Sequence, residues 1–155
     1  MCDYSLMAIP NRLAAEGEEL VAHRFPTGSM GLASPADLRK RCNAPQAQRK
    51  TVRSVLELFF SPRPADPVPA VCIPPGSRLM LHDLSERLQR DLKVGPKEEV
   101  VFLQISAMEN TYRDAVRFRN GRDLRLQELH EGQRVDVLDL GVETREAVLE
   151  EARHF

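Results

Sequence analysis

The chain has 155 residues, 42% of them hydrophobic and 29% charged, which fits one domain with a buried core of its own. Its formal net charge of −1 excludes the strongly basic balance typical of nucleic-acid binders and of proteins held on anionic membranes. No apolar run reaches the roughly 18 residues of a membrane span and no signal-peptide pattern opens the chain, so a cytoplasmic protein with no membrane partner is expected.

Residues 1–33 read as a short extended arm. It holds one strand candidate, "EELVAHRF" (Glu18 to Phe25), closed by the loop signal "PTGSMG". "SPAD" then starts a helix, with Ser34 as N-cap, Pro35 in the first helical position and Asp37 near the positive end of the helix dipole. Pro45 interrupts that helix. A second is expected from near Gln46, with Val52, Val55, Leu56 and Phe59 at helical spacing. It ends at "FFSPRPADPVP", where Pro62, Pro64, Pro67 and Pro69 impose an extended connector.

Residues 70–140 read as a β-rich core. "AVCI" and "SRLML" are short strands separated by "PPG", and "DLSE" is a capping-box-like helix start at Asp83 with Glu86 three residues on. That helix is expected from Leu84 to about Leu92, stopping before Gly95-Pro96. "EEVVFLQIS" (Glu98 to Ser106) is the clearest strand. "DAVRFRNGRDLRL" is a hairpin by its Asn120-Gly121 signal.

Parity sharpens the hairpin. A two-residue Asn-Gly loop sets Phe118 against Asp123 and Val116 against Arg125, apolar against charged. A loop centred on Gly121 sets Phe118 against Leu124 and Val116 against Leu126, which gives one apolar face. A three- or five-residue connection, or a bulge, is therefore expected. "HEGQ" turns the chain into the last strand, "RVDVLDL". Residues 142–153 form an acid-rich helix with Val142, Leu149 and Ala152 inward.

The fold class is α+β in a single domain, 1–155. It consists of a small antiparallel β-barrel or curled sheet (1–33 and 70–140) with a helical insertion at about 34–69 and a C-terminal helix at 142–153.

Three cysteines in such a chain read as thiols or metal ligands rather than a disulfide framework. Removal of the initiator methionine would leave Cys2 with a thiol and an α-amine of pKa about 8. A nucleophile with its own base is the arrangement of N-terminal-nucleophile hydrolases, which makes Cys2 the catalytic candidate. Cys72, in the apolar strand before Pro74-Pro75-Gly76, can join Cys2 and His23 as a metal-ligand set, with His82 and His130 as further donors. No C-x-x-C or H-x-x-x-H spacing supports it. Cys42 sits beside Arg41 and reads as an incidental exposed thiol.

The run from Arg39 to Arg53 holds Arg39, Lys40, Arg41, Arg49, Lys50 and Arg53 and no acid. It reads as a solvated cationic face suited to an acidic partner, the alternative being a helix-turn-helix for nucleic acid, which the overall charge disfavours. "PTGSMG" lacks the lysine of a phosphate loop, and no cofactor is expected.

The opening "MCDYSL", with "AVCIPPG" at 70–76, "DAVRFRNG" at 114–121 and "LHEGQRVDVL" at 129–138, resembles a small group of uncharacterised bacterial proteins that share this start. Shorter members lack the stretch from 34 to 66, which marks it as an insertion. The resemblance implies kinship and no activity. Three functions follow from the residues. The leading one is a non-enzymatic binding or adaptor module, as a homo-oligomer or with an acidic protein partner. The alternatives are a thiol protein built on Cys2 (a hydrolase, or a thiol or metal sensor with Cys72) and nucleic-acid binding through Arg39 to Arg53.

Overall fold

The computed structural model describes residues 6, 8–43, 67–108 and 111–141. Among the described residues, nine strands and two α-helices follow one another as β1 (Asn11–Leu13), β2 (Glu19–Arg24), β3 (Met30–Ala33), α1 (Pro35–Asn43), β4 (Ala70–Cys72), β5 (Arg78–Leu81), α2 (Glu86–Leu92), β6 (Glu98–Gln104), β7 (Asp114–Phe118), β8 (Asp123–Arg125) and β9 (Arg134–Asp139). Seven strands form an antiparallel sheet in the order β3-β2-β9-β5-β6-β7-β8, and β1 pairs with β4 in a separate parallel ribbon. The α+β class is as expected. The sheet curls without closing, since no backbone ladder joins β3 to β8, so the barrel alternative has no support.

Period-2 alternation explains the sheet. Leu20 and Ala22 on β2, Val135 and Val137 on β9, Leu79 and Leu81 on β5, Val100 and Phe102 on β6, and Val116 and Phe118 on β7 all point to one face and share one core. The half-buried Leu88 and Leu92 of α2 pack against that core. In β9, Leu138 is the extra residue of a bulge beside Arg78 and Leu79 of β5.

β3 breaks the alternation because all four of its residues are buried. Met30 and Leu32 belong to the main core, while Ala33 joins Leu6, Phe25, Val68 and Ala70 in a second, smaller one. Gly31 fits this double burial: a β-carbon there would lie 2.6 Å from Leu6 Cδ1 and 3.0 Å from Phe25 Cε2. The expected loop "PTGSMG" therefore ends in a strand that no alternating pattern announces. β1 was not foreseen as a strand either.

The hairpin connection is Arg119–Gly121, three residues long, with Phe118 N–H on Arg122 O at 2.9 Å and Gly121 in the left-handed region at φ 82°. Val116 faces Leu124, not Leu126, and Phe118 faces Arg122 rather than Leu124. The loop centres on Asn120, one position earlier than expected, and this shifts each pairing by two residues without changing the face. Phe118, Val116, Leu124 and Leu126 all reach the main core.

In α2 the N-cap is Ser85, whose Oγ accepts from Leu88 N–H at 3.3 Å. Asp83, the expected cap, lies at φ 55° and cannot serve. The helix exits through left-handed Lys93, and Val94 N–H returns to Gln89 O at 3.0 Å, before Gly95-Pro96 is reached. The expected second helix of the insertion (from Gln46) and the helix at 142–153 lie outside the described residues.

Candidate functional site

A groove of about 640 Å³ runs between α2 and β8 with its following 3-10 turn, Leu126–Glu128. The helix contributes Ser85, Arg87, Leu88, Asp91 and Leu92; the strand side contributes Asp123, Leu124, Glu128 and His130. Leu88 and Leu92 are one helical turn apart and share a face, so with Leu124 they make an apolar floor. The hairpin tip pins the helix end. Asn120 Nδ2 donates to Leu92 O at 2.8 Å and Arg122 Nη1 to Asp91 O at 2.6 Å, satisfying carbonyls that the last turn leaves open.

β8 is the last strand of the sheet, and register decides which of its backbone groups face outward. Phe118 and Arg122 exchange a ladder bond, so Val116 and Leu124 form the next bonded pair and the backbone of Asp123 and Arg125 turns away from β7. Arg125 N–H is taken by Glu128 Oε2 at 3.0 Å. Among the described residues no partner meets the N–H and C=O of Asp123. Its carboxylate is occupied: Arg117 grips both oxygens, at 2.7 and 2.9 Å, and holds the carboxyl below its usual range against a small opposing effect of burial.

A second polar cluster lies on the sheet's outer face. His82 Nε2 meets Asp136 Oδ2 at 2.6 Å, and Arg134 Nη2 meets His82 Nδ1 at 2.9 Å. A guanidinium only donates, so Nδ1 accepts and the ring hydrogen sits on Nε2, directed at the carboxylate. Both ring nitrogens are engaged, which leaves none to abstract a proton from a substrate. The side chain of Gln133, almost fully buried, donates to the carbonyl of His82. The arrangement joins the end of β5 to β9.

The sequence candidates scatter. Cys2 lies outside the described residues, as do Arg49, Lys50 and Arg53. Cys72 is buried in β4 and disulfide-bonded, which corrects the reading of all three cysteines as thiols or ligands; a disulfide sulfur offers no thiolate to a metal. Spacing could not reveal it, because a disulfide depends on where the fold brings two α-carbons. His23, on β2, has its Nδ1 3.2 Å from Glu131 Oε1 and its ring edge-on to Phe25 at 4.9 Å. Burial lowers its pKa; Glu131 opposes that and nearby Arg41 adds to it. Among the described residues no three His, Cys, Asp or Glu side chains gather as a metal site. Arg39, Lys40 and Arg41 are exposed on α1, where Lys40 pairs with Asp37 at 3.5 Å and Cys42 is a free thiol.

Sequence reading missed both the groove and the His82 cluster. For the cluster a signal existed, since His82, Arg134 and Asp136 occupy outward positions of two strands; only the pairing of β5 with β9 joins them. Among the described residues no helix is long and apolar enough to cross a membrane. Comparison of the chain with protein-family models, curated proteins and solved structures returns no match.

Proposed function

We propose that this chain is a non-enzymatic binding module whose partner seats in the groove between α2 and β8. The observation that carries this reading is the groove itself, with three leucines as floor, charged walls and, at Asp123, a backbone N–H and C=O that meet no partner among the described residues. Such sites combine apolar area for affinity with a few directed polar groups for specificity. The engagement of both nitrogens of His82 supports the non-enzymatic part.

Panning a random-peptide library against the native full chain tests the proposal. A consensus should be enriched on the wild type and lost on Leu88→Lys, which extends a long cation across the floor, with circular dichroism showing the variant folded. No enrichment, or a consensus indifferent to Leu88→Lys, would sink it.

The disulfide at Cys72 favours a second reading, a thiol–disulfide protein. Cys42 is free, and Cys2 is the remaining cysteine of the sequence. Intact mass before and after reduction should differ by two hydrogens, with Cys42 alone alkylated in the untreated chain; three alkylated thiols without reductant would dismiss this reading.

A further inference from the structure

We infer that the groove takes an extended basic peptide of a partner protein, its main chain added beside Asp123 at the β8 edge and a lysine or arginine stem laid over the leucine floor. The inference rests on the groove being the binding site and specifies its occupant. Two independent observations converge on it.

The first is directional hydrogen bonding. The N–H and C=O of Asp123 face outward from the terminal strand and meet no partner among the described residues. One residue of an extended peptide lying along a sheet edge turns its own C=O and N–H to the same side and can exchange two hydrogen bonds with these groups, and this is how extended peptides are captured at sheet edges. Because Glu128 already caps Arg125 N–H, the added pairing is centred on the one residue Asp123, and the rest of the affinity falls to side chains.

The second is charge. The groove walls carry the carboxylates of Asp91, Asp123 and Glu128 against the single guanidinium of Arg87, which lies 3.6 Å from Asp91. Arg117 grips Asp123 through two hydrogen bonds and Arg87 offsets Asp91 through one exposed contact, while Glu128, on the opposite wall from Asp91, has no ion-pair partner among the described residues, so the walls keep a net negative charge. Lysine and arginine match that profile because their methylene stems lie along apolar surface while the charged head reaches polar groups. An acidic peptide meets the same walls with like charge and is rejected.

The test uses the full chain and two fluorescein-labelled, end-capped peptides of equal length, one alternating valine and lysine, the other valine and glutamate. Saturable anisotropy change is expected with the lysine peptide only. The double variant Asp91→Asn, Glu128→Gln should weaken it about fivefold, since each exposed charge contact is modest. N-methylation of the central peptide bonds should weaken it by about fivefold again, through lost main-chain hydrogen bonds. Both substituted side chains belong to exposed residues, and thermal unfolding checks that the variant folds. Equal binding of the two peptides, no saturable binding, or affinity unmoved by the double variant would overturn the inference. So would concentration-dependent dimerisation lost in the same variant, which would identify the occupant as a second copy of the chain. A library consensus that lacks lysine and arginine yet is lost on Leu88→Lys would overturn the basic peptide while leaving the groove reading intact.

Discussion

The sheet ends in β3 on one side and β8 on the other, and the two edges are finished differently. At β3 all four residues are buried, and the side-chain amide of Gln127 takes the place of a neighbouring strand. Its Oε1 accepts from Met30 N–H at 2.9 Å and its Nε2 donates to Met30 O at 2.8 Å. Ser29, fully buried just before the strand, lies 3.2 Å from the hydroxyl of Tyr112. At β8 only Leu124 is buried, and the N–H and C=O of Asp123, a residue that lines the groove, face away from β7. An unpaired edge invites association, so most edges are blunted or covered. Here one is sealed by a side chain borrowed from beyond the other, and the other is kept open beside a helix. That asymmetry points to β8 as the working edge.

The largest expected effect falls on the core that both edges share. Phe118→Ala should destabilise the chain by about 3–5 kcal/mol, because the ring is buried in the main core and its removal leaves a cavity. Denaturant unfolding measures this. A loss under 1 kcal/mol would mean that the register placing Phe118 and Leu124 on one face is wrong.

Next in size is the seal on β3. Gln127→Ala removes two hydrogen bonds and leaves the buried backbone of Met30 unpaired, at a cost of about 1–3 kcal/mol. Arg125→Ala, at the open edge, should stay within about 0.5 kcal/mol. Equal losses would erase the distinction between the edges.

A smaller effect comes with acid, and it acts at the β2–β3 side of the sheet. Hydrogen bonds from Arg12 hold the Glu18 carboxyl below its usual 4.5, against the opposing effect of burial. The folded state therefore binds its proton more weakly than the unfolded chain does. The stabilisation is complete above pH 4.5 and is lost as pH falls through the folded value. His23, lowered from 6.5 chiefly by burial, acts in the same direction: stability declines as pH drops below 6.5 toward its folded value. Unfolding midpoints measured from pH 7 to pH 4 should decline, with the upper part of that decline flattened in His23→Gln. A midpoint that rose on acidification would contradict both assignments.

How much of this was legible depends on how many faces of an element are buried. β5, β6 and β9 alternate because one face meets the core and the other meets solvent, and "SRLML", "EEVVFLQIS" and "RVDVLDL" show it. β3 is covered on both sides, so "MGLA" carries no period and its glycine reads as a loop, although the glycine answers to Leu6 and Phe25. Hairpin parity fixed the shared face of Val116, Phe118 and Leu124. The three-residue loop is one of the lengths that parity predicts, but its centre is Asn120, whose amide reaches the carbonyl of Leu92, and not Gly121. The groove was invisible for a different reason. Its walls come from α2 and β8, which are distant in the chain, and no motif marks an unpaired strand edge. Charge did not help either, because the acids of the groove and the cations of α1 cancel in the total.

Amide hydrogen exchange on the native chain compares the two edges most directly. The Met30 amide, held by Gln127, should be protected nearly as well as the central strands, and the Asp123 amide should exchange at close to the rate of an open peptide. Adding the valine–lysine peptide should slow Asp123 and leave Met30 unchanged. Rapid exchange at Met30, or an Asp123 amide already protected in the free chain, would contradict the assignment of β3 as the sealed edge and β8 as the open one.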